Sequence, residues 1–198
     1  MTPKRLHPKY GQFRFDAGSL ALNFVTTVKH RGAQPRELLS TPAALADWLR
    51  RACLGALDVE PSFQDVEEAI LLREAIYRTV RALIHNEMPQ EDDVKRINIT
   101  SAYSIAFPQI DTASCHLQWV SIDPIKACFA DVARDAVIVI GNGDRSRLKM
   151  CDNPSCQMLF LDKSPVNQRR WCAMSICGNR AKVTLHRQRK KGADSECF

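Results

Sequence analysis

The chain has 198 residues, 45% hydrophobic and 25% charged, with a formal net charge of +6. That length suits one large domain, or a larger one beside a small metal-stapled one. No stretch approaches the roughly 20 apolar residues of a membrane helix, and the first thirteen residues lack the apolar core of a signal peptide. The expectation is a cytoplasmic globular protein without membrane contact, its thiols reduced unless a metal holds them.

Residues 1–14 are basic and aperiodic. Ser19 is then placed to cap a short helix that buries Leu20, Phe24 and Val28. The β-branched run from Val25 to Val28 gives a strand as the rival reading. Asn23 and Thr26 fall on the polar side of that segment or line a pocket, and are candidate ligand-binding residues. His30 to Pro35 reads as a loop. Thr41-Pro42 opens a second helix, Thr as N-cap and Pro at the first helical position. Its apolar stripe is Leu45, Trp48, Leu49 and Cys53, and Gly55 ends it.

Ser62, with Asp65 three residues on, starts the longest helix. Val66, Ile70, Tyr77, Val80 and Ile84 make one apolar stripe, and Leu72, Ile76 and Leu83 a second, which places the helix centrally in a bundle. Arg73, Glu74, Arg78 and Arg81 read as surface charge. Met88-Pro89 breaks the helix, and the acidic run at 90–93 opens the next, where the helix dipole favours it. Val94, Ile97 and Ala102 give that helix its core face. Residues 105–110 and 115–120 read as two short strands about the Asp111-Thr112 turn. Asp123-Pro124 caps a helix whose apolar positions run from Ile125 to Ile140 at helical spacing. Gly141-Asn142-Gly143 stops it and sets the expected boundary between a helical domain, 1–144, and a C-terminal unit, 145–198.

The C-terminal unit carries the chemistry. Cys151 and Cys156 are separated by four residues, as are Cys172 and Cys177, with fifteen between the pairs. Two close cysteine pairs and a hairpin-length spacer suit a tetrahedral site of four thiolates. Such ligands select zinc and leave no open coordination position, so a single structural Zn²⁺ is expected. Two disulfides would need an oxidising compartment, and an iron–sulfur cluster remains a weaker alternative. A nucleobase deaminase would need His-x-Glu ahead of Pro-Cys-x-x-Cys, and neither occurs. Residues 147–150 should enter the first knuckle as a strand. Residues 158–161 and 169–171 should pair as a hairpin across 164–168, with Phe160 and Trp171 covering the metal. Cys177-Gly178 feeds a helix, which makes the unit treble-clef-like.

Charge divides in the same way. Residues 1–144 hold 16 Lys and Arg against 18 Asp and Glu, whereas residues 145–191 hold 12 against 2. A local excess of +10 points to a polyanionic partner. On the last helix, Ala181, Leu185 and Gln188 share a packing face; Arg180, Thr184, Arg187 and Lys191 a second; and Lys182, His186 and Arg189 a third. Arg187, Arg189, Lys191 and Lys182 are candidate phosphate contacts, extended by Arg169 and Arg170. Asn179 and Arg180 either read base edges or brace the knuckle.

The runs L-F-L-D-K-S, R-R-W-C-A-M and C-G-N-R-A-K, between Leu159 and Lys182, resemble the CGNR zinc-finger family, bacterial proteins described as transcription regulators, through Phe160, Leu161, Asp162, Ser164, Arg169 to Cys172, Met174 and Cys177 to Lys182. In that family the finger follows a helical module called ABATE. The stretch Ser19 to Thr27 resembles the opening of that module, with Asn23 and Thr26 where the usual pattern has Asp and Asn. The resemblance implies a mainly α protein with a small β component, regulating transcription through a DNA-binding finger. The alternative is an RNA- or protein-binding finger. An enzyme is not expected: residues 1–144 carry no nucleophile–base pairing, paired carboxylates or open metal site. Oligomerisation and a small ligand in the helical domain stay open.

Overall fold

The computed structural model describes residues 13–52, 54, 59–103, 107–142 and 144–184. Five α-helices precede the cysteine-rich unit: α1 (Leu20–Val25), α2 (Pro42–Arg51), α3 (Phe63–Ile84), α4 (Glu91–Ser101) and α5 (Pro124–Gly141). Three two-stranded antiparallel ribbons interrupt or follow them: β1–β2 (Val28–Lys29, Arg36–Glu37), β3–β4 (Phe107–Ile110, Leu117–Val120) and β5–β6 (Leu148–Met150, Leu159–Leu161).

The helix starts follow from capping chemistry. Ser19 Oγ accepts from the Leu22 amide at 3.2 Å, Thr41 Oγ1 from Ala44 at 3.2 Å, and Asp123 Oδ1 from Lys126 at 3.0 Å. Ser62 and Asp65 form a reciprocal capping box at the start of α3. Helix and strand readings both apply in the first segment. It is helical to Val25, then turns, so Val28 joins β1 instead of prolonging the helical stripe. Phe24 lies 4.8 Å from Trp48, ring centre to ring centre, and both are fully buried. Cys53, Gly55 and Gly143 lie outside the described residues.

α3 is central, buried along two stripes as its pattern requires. One of its charges departs from expectation. Arg73 is 2% exposed; it donates to both carboxylate oxygens of Glu37 at 2.7 Å and to Glu74 at 2.8 Å. Its position between the two apolar stripes carries it inward, and the hydrogen bonds offset the cost of burying the guanidinium. Arg78 pairs with the buried Asp93 of α4 in the same bidentate way. α4 accordingly buries Asp93, Ile97 and Thr100, whereas Ala102 is exposed.

The core does not stop at the Gly141–Gly143 stop signal. One contiguous cluster runs from Phe13 and Leu22 through Trp48, Leu72 and Phe129 to Leu148, Leu159, Phe160 and three of the knuckle cysteines. The β5–β6 ribbon packs on α3, and β6 also packs on α1. Two glycines mark how close the approach is. Gly18 has φ +96°, and a Cβ there would lie 2.7 Å from the Leu161 carbonyl oxygen. A Cβ on Gly32 would fall on the Pro154 carbonyl.

Candidate metal centre and nucleic-acid interface

β5 and β6 are joined by the first knuckle itself. The Cys151 amide donates to the Met158 carbonyl at 2.9 Å, directly below the Met150–Leu159 pair. β6 therefore pairs with β5, not with residues 169–171 as its sequence suggested. The reason is Asp162, fully buried at the end of β6. Its carboxylate accepts from the amides of Ser164 at 2.9 Å and Arg169 at 2.8 Å and from Lys149 Nζ at 3.1 Å. Burial alone would raise this carboxyl, but the hydrogen bonds from Ser164, Arg169 and Lys149 outweigh it and hold it well below the usual carboxylate range. The Arg169 amide is thus bound to a side chain in place of a strand partner. Asp162 and Ser164 stand in the family-like run, and their role becomes visible only in three dimensions.

The second knuckle closes on a π-helical turn, Met174–Gly178, in which the Ala173 carbonyl accepts from the amides of Ile176, Cys177 and Gly178. The chain continues helically over 179–184. This brings the sulfurs of Cys151, Cys156, Cys172 and Cys177 within 4.8 Å of one another. The Cys156–Cys172 and Cys172–Cys177 sulfur distances are 3.8 and 3.6 Å. Disulfide sulfurs would be about 2.05 Å apart, and all four cysteines are free. A tetrahedron with metal–sulfur bonds of about 2.3 Å has edges of about 3.8 Å. The four thiols fit zinc. Cys115 and Cys128 sit apart from them, and burial raises the Cys128 thiol to about 11.

A family model for the CGNR zinc finger matches residues 147–190. A second, ABATE, described as a "putative stress-induced transcription regulator", matches residues 18–143. The chain belongs to the ABATE family. No curated protein matches it. The ABATE module and the finger meet in sequence at 143–147 and share the packed core described above.

The link between them includes residues singled out for a different reason. Asn23 Oδ1 accepts from the Ala17 amide at 2.9 Å, and the Ala17 carbonyl accepts from Leu161 of β6 at 2.8 Å. Thr26, 2% exposed, donates to the carbonyls of Asn23 at 2.7 Å and Arg14 at 3.3 Å. The strap 13–17 is thereby tied to α1 on one side and the finger on the other. From it Arg14 reaches Cys172 Sγ at 3.4 Å while paired with Asp16. Burial opposes the charge on Arg14, but Asp16 and Cys172 more than offset that and raise its pKa. Its guanidinium favours the thiolate that a metal requires.

The expected nucleic-acid contacts separate into two groups. Arg169 is half-buried, donates to the Cys172 carbonyl at 2.7 Å and lies 4.8 Å above the Phe160 ring, so it braces the second knuckle. Phe160 is fully buried, while Trp171 is half-buried beneath Arg170. Arg170, Asn179, Arg180 and Lys182 are exposed. Arg170 pairs with Asp152 at 2.6 Å, and Asn179 donates back to the Ser175 carbonyl at 3.2 Å. Among the described residues, the side chains of Arg180 and Lys182 make no hydrogen bond or ion pair. Arg187, Arg189 and Lys191 lie outside the described residues.

Sequence reasoning missed the basic β1–β2 ribbon. Lys29 faces Arg36 across the ribbon, and burial, followed by the charges of Arg180, Lys29 and Arg36, lowers the pKa of His30. The K-H-R run at 29–31, in an otherwise acidic first 144 residues, was the available signal. Arg31 is spoken for: it pairs bidentately with Glu74 and stacks on Tyr77.

Proposed function

We propose that the protein is a DNA-binding transcription regulator whose zinc finger holds duplex phosphates while the helical module senses a ligand or mediates assembly. The carrying observation is the distribution of charge around the finger. Of the two acids within 145–191, Asp162 is buried in the hairpin and Asp152 is paired with Arg170. Arg180 and Lys182 remain outward, and the Lys29–Arg36 ribbon adds cations from the module. Phosphate contacts of this kind supply affinity and make it salt-dependent. Zinc has no catalytic part in this reading, because four thiolates fill its coordination.

Ligand sensing has a candidate location. A cleft of about 520 Å³ lies between the start of α1, the second half of α5 and the finger, lined by Leu20, Asp135, Ile138, Leu161 and Lys163 among others. That is within the usual size range for small-ligand sites, and its walls belong to both units.

Fluorescence anisotropy on zinc-loaded protein, with labelled duplex and single strands across a salt series, tests the reading. Arg180→Ala and Lys182→Ala should weaken duplex binding, each lost phosphate contact removing about 0.9 from the log–log salt slope. If Arg180 reads a base, its loss should also narrow the preference for the best site by about 1–3 kcal/mol. Stronger binding to single strands would favour an RNA-type role. No binding at low salt with zinc in place would reject the proposal.

A further inference from the structure

The β3–β4 ribbon is joined by no other described strand. The Asp111 amide donates to the His116 carbonyl at 2.9 Å and closes its turn. Counting from that pair, the antiparallel alternation makes Gln109–Gln118 and Phe107–Val120 the hydrogen-bonded pairs. The main-chain groups of Pro108, Ile110, Leu117 and Trp119 then point outward. On the β3 edge Pro108 has no N–H to offer, which blunts that edge. On the β4 edge Leu117 and Trp119 each present an N–H and a C=O, and no described backbone group pairs with them there.

The same four residues share one face of the ribbon, because opposed and alternate residues point the same way. That face is apolar throughout. Ile110, Leu117 and Trp119 are 73%, 67% and 65% exposed. A patch on the order of a few hundred Å² is the size that marks an interaction surface.

Charge selects the occupant. Between Ile97 and Ile125 there are two aspartates and no lysine or arginine, so a phosphate backbone has nothing to hold here. Two copies of a chain with net charge +6 repel wherever their basic surfaces meet, and this ribbon lets them meet without opposing cations. A free antiparallel edge is also complementary to itself about a two-fold axis.

We propose that β4 pairs with β4 of a second copy, building a four-stranded antiparallel sheet with the apolar faces side by side. Centred on Gln118, the pairing sets Leu117 of one copy opposite Trp119 of the other. Gln118 meets its own counterpart at a non-hydrogen-bonded position. The buried area falls below the roughly 800 Å² per partner of a standard interface, so the dimer dissociates on dilution. This pairing does not depend on what the finger binds.

Sedimentation velocity of the full zinc-loaded chain over a concentration series should show a monomer–dimer equilibrium. Replacing Leu117 and Trp119 together by lysine opposes like charges across the new ladder and should weaken dimerisation at least about tenfold, with helical circular dichroism unchanged. In a Cys115→Ser background, Gln118→Cys should be trapped as a covalent dimer by oxidised glutathione, two thiols giving one disulfide across the two-fold axis. A monomer at every concentration would overturn the proposal. So would a dimer that survives the lysine pair, or one that Gln118→Cys fails to trap.

Discussion

The β5–β6 hairpin and the β3–β4 ribbon are each two short antiparallel strands, three and four residues long, yet their surroundings are opposite. Leu148, Leu159 and Phe160 of the first are buried in the common core, and its loop is a metal knuckle. The second stands in solvent, with all of β3 exposed. An isolated two-stranded ribbon is marginal in water. The finger hairpin overcomes this three times: by four thiols around one site, by the buried Asp162 network, and by the strap that binds Leu161 and reaches Cys172. The outer ribbon has none of these, and the chain tolerates it only because the helices it connects are held elsewhere. Secondary structure of one type can thus be scaffold in one place and adaptable surface in another, according to what lies behind it.

The largest way to break this contrast is at the metal. Any of Cys151, Cys156, Cys172 or Cys177 changed to Ser should abolish stoichiometric zinc by elemental analysis. Structural zinc contributes about 10–16 kcal/mol of apparent binding free energy in small fingers. Next comes Arg73→Met, which leaves the Glu37 carboxylate without its buried partner, while Glu74 keeps its bidentate pair with Arg31. Removing one member of such a pair costs about 3–5 kcal/mol, less here because both carboxylates are partly exposed. Denaturant midpoints would show it.

The same variant sharpens the pH dependence. Burial alone would raise Glu37 and Glu74, but arginine hydrogen bonds outweigh it and lower both. Their stabilisation is therefore full above the ordinary value of 4.5 and is lost as pH falls through the lowered folded values. Arg73→Met should flatten the Glu37 part of that acid-side loss and leave the Glu74 part, which rests first on Arg31. A smaller effect is expected at Gly18→Val, where positive φ and the Leu161 carbonyl both resist a side chain, at a cost of about 1–3 kcal/mol. Trp119→Lys should be the smallest, within about 0.5 kcal/mol by thermal unfolding at a concentration where the protein is monomeric.

Much of this was legible in the sequence where the determining interaction is local. Ser19, Thr41, Ser62 and Asp123 cap helices they visibly precede, and the cysteine spacing named the metal ligands. The β3–β4 strands were likewise readable from their alternation. What could not be read depends on partners far along the chain. Nothing local says that Arg73 meets Glu37, or that Asp162 occupies the Arg169 amide and so redirects β6 to β5. From sequence alone Asn23 and Thr26 read as polar-face or pocket-lining positions. Their observed partners, Ala17 and Arg14, are close in sequence, but the consequence is a strap whose far side contacts residues 161 and 172.

Finger and ABATE module share one packed core, and the metal should lock it. That lock is tested most directly by following helical circular dichroism during denaturant unfolding of the full chain, zinc-loaded and after removal of zinc by chelator under reducing conditions. Because most of the helix lies in the module, removing zinc should shift the helical transition itself to markedly lower denaturant. A helical transition at the same midpoint with and without zinc, while the metal is verified as absent, would contradict it.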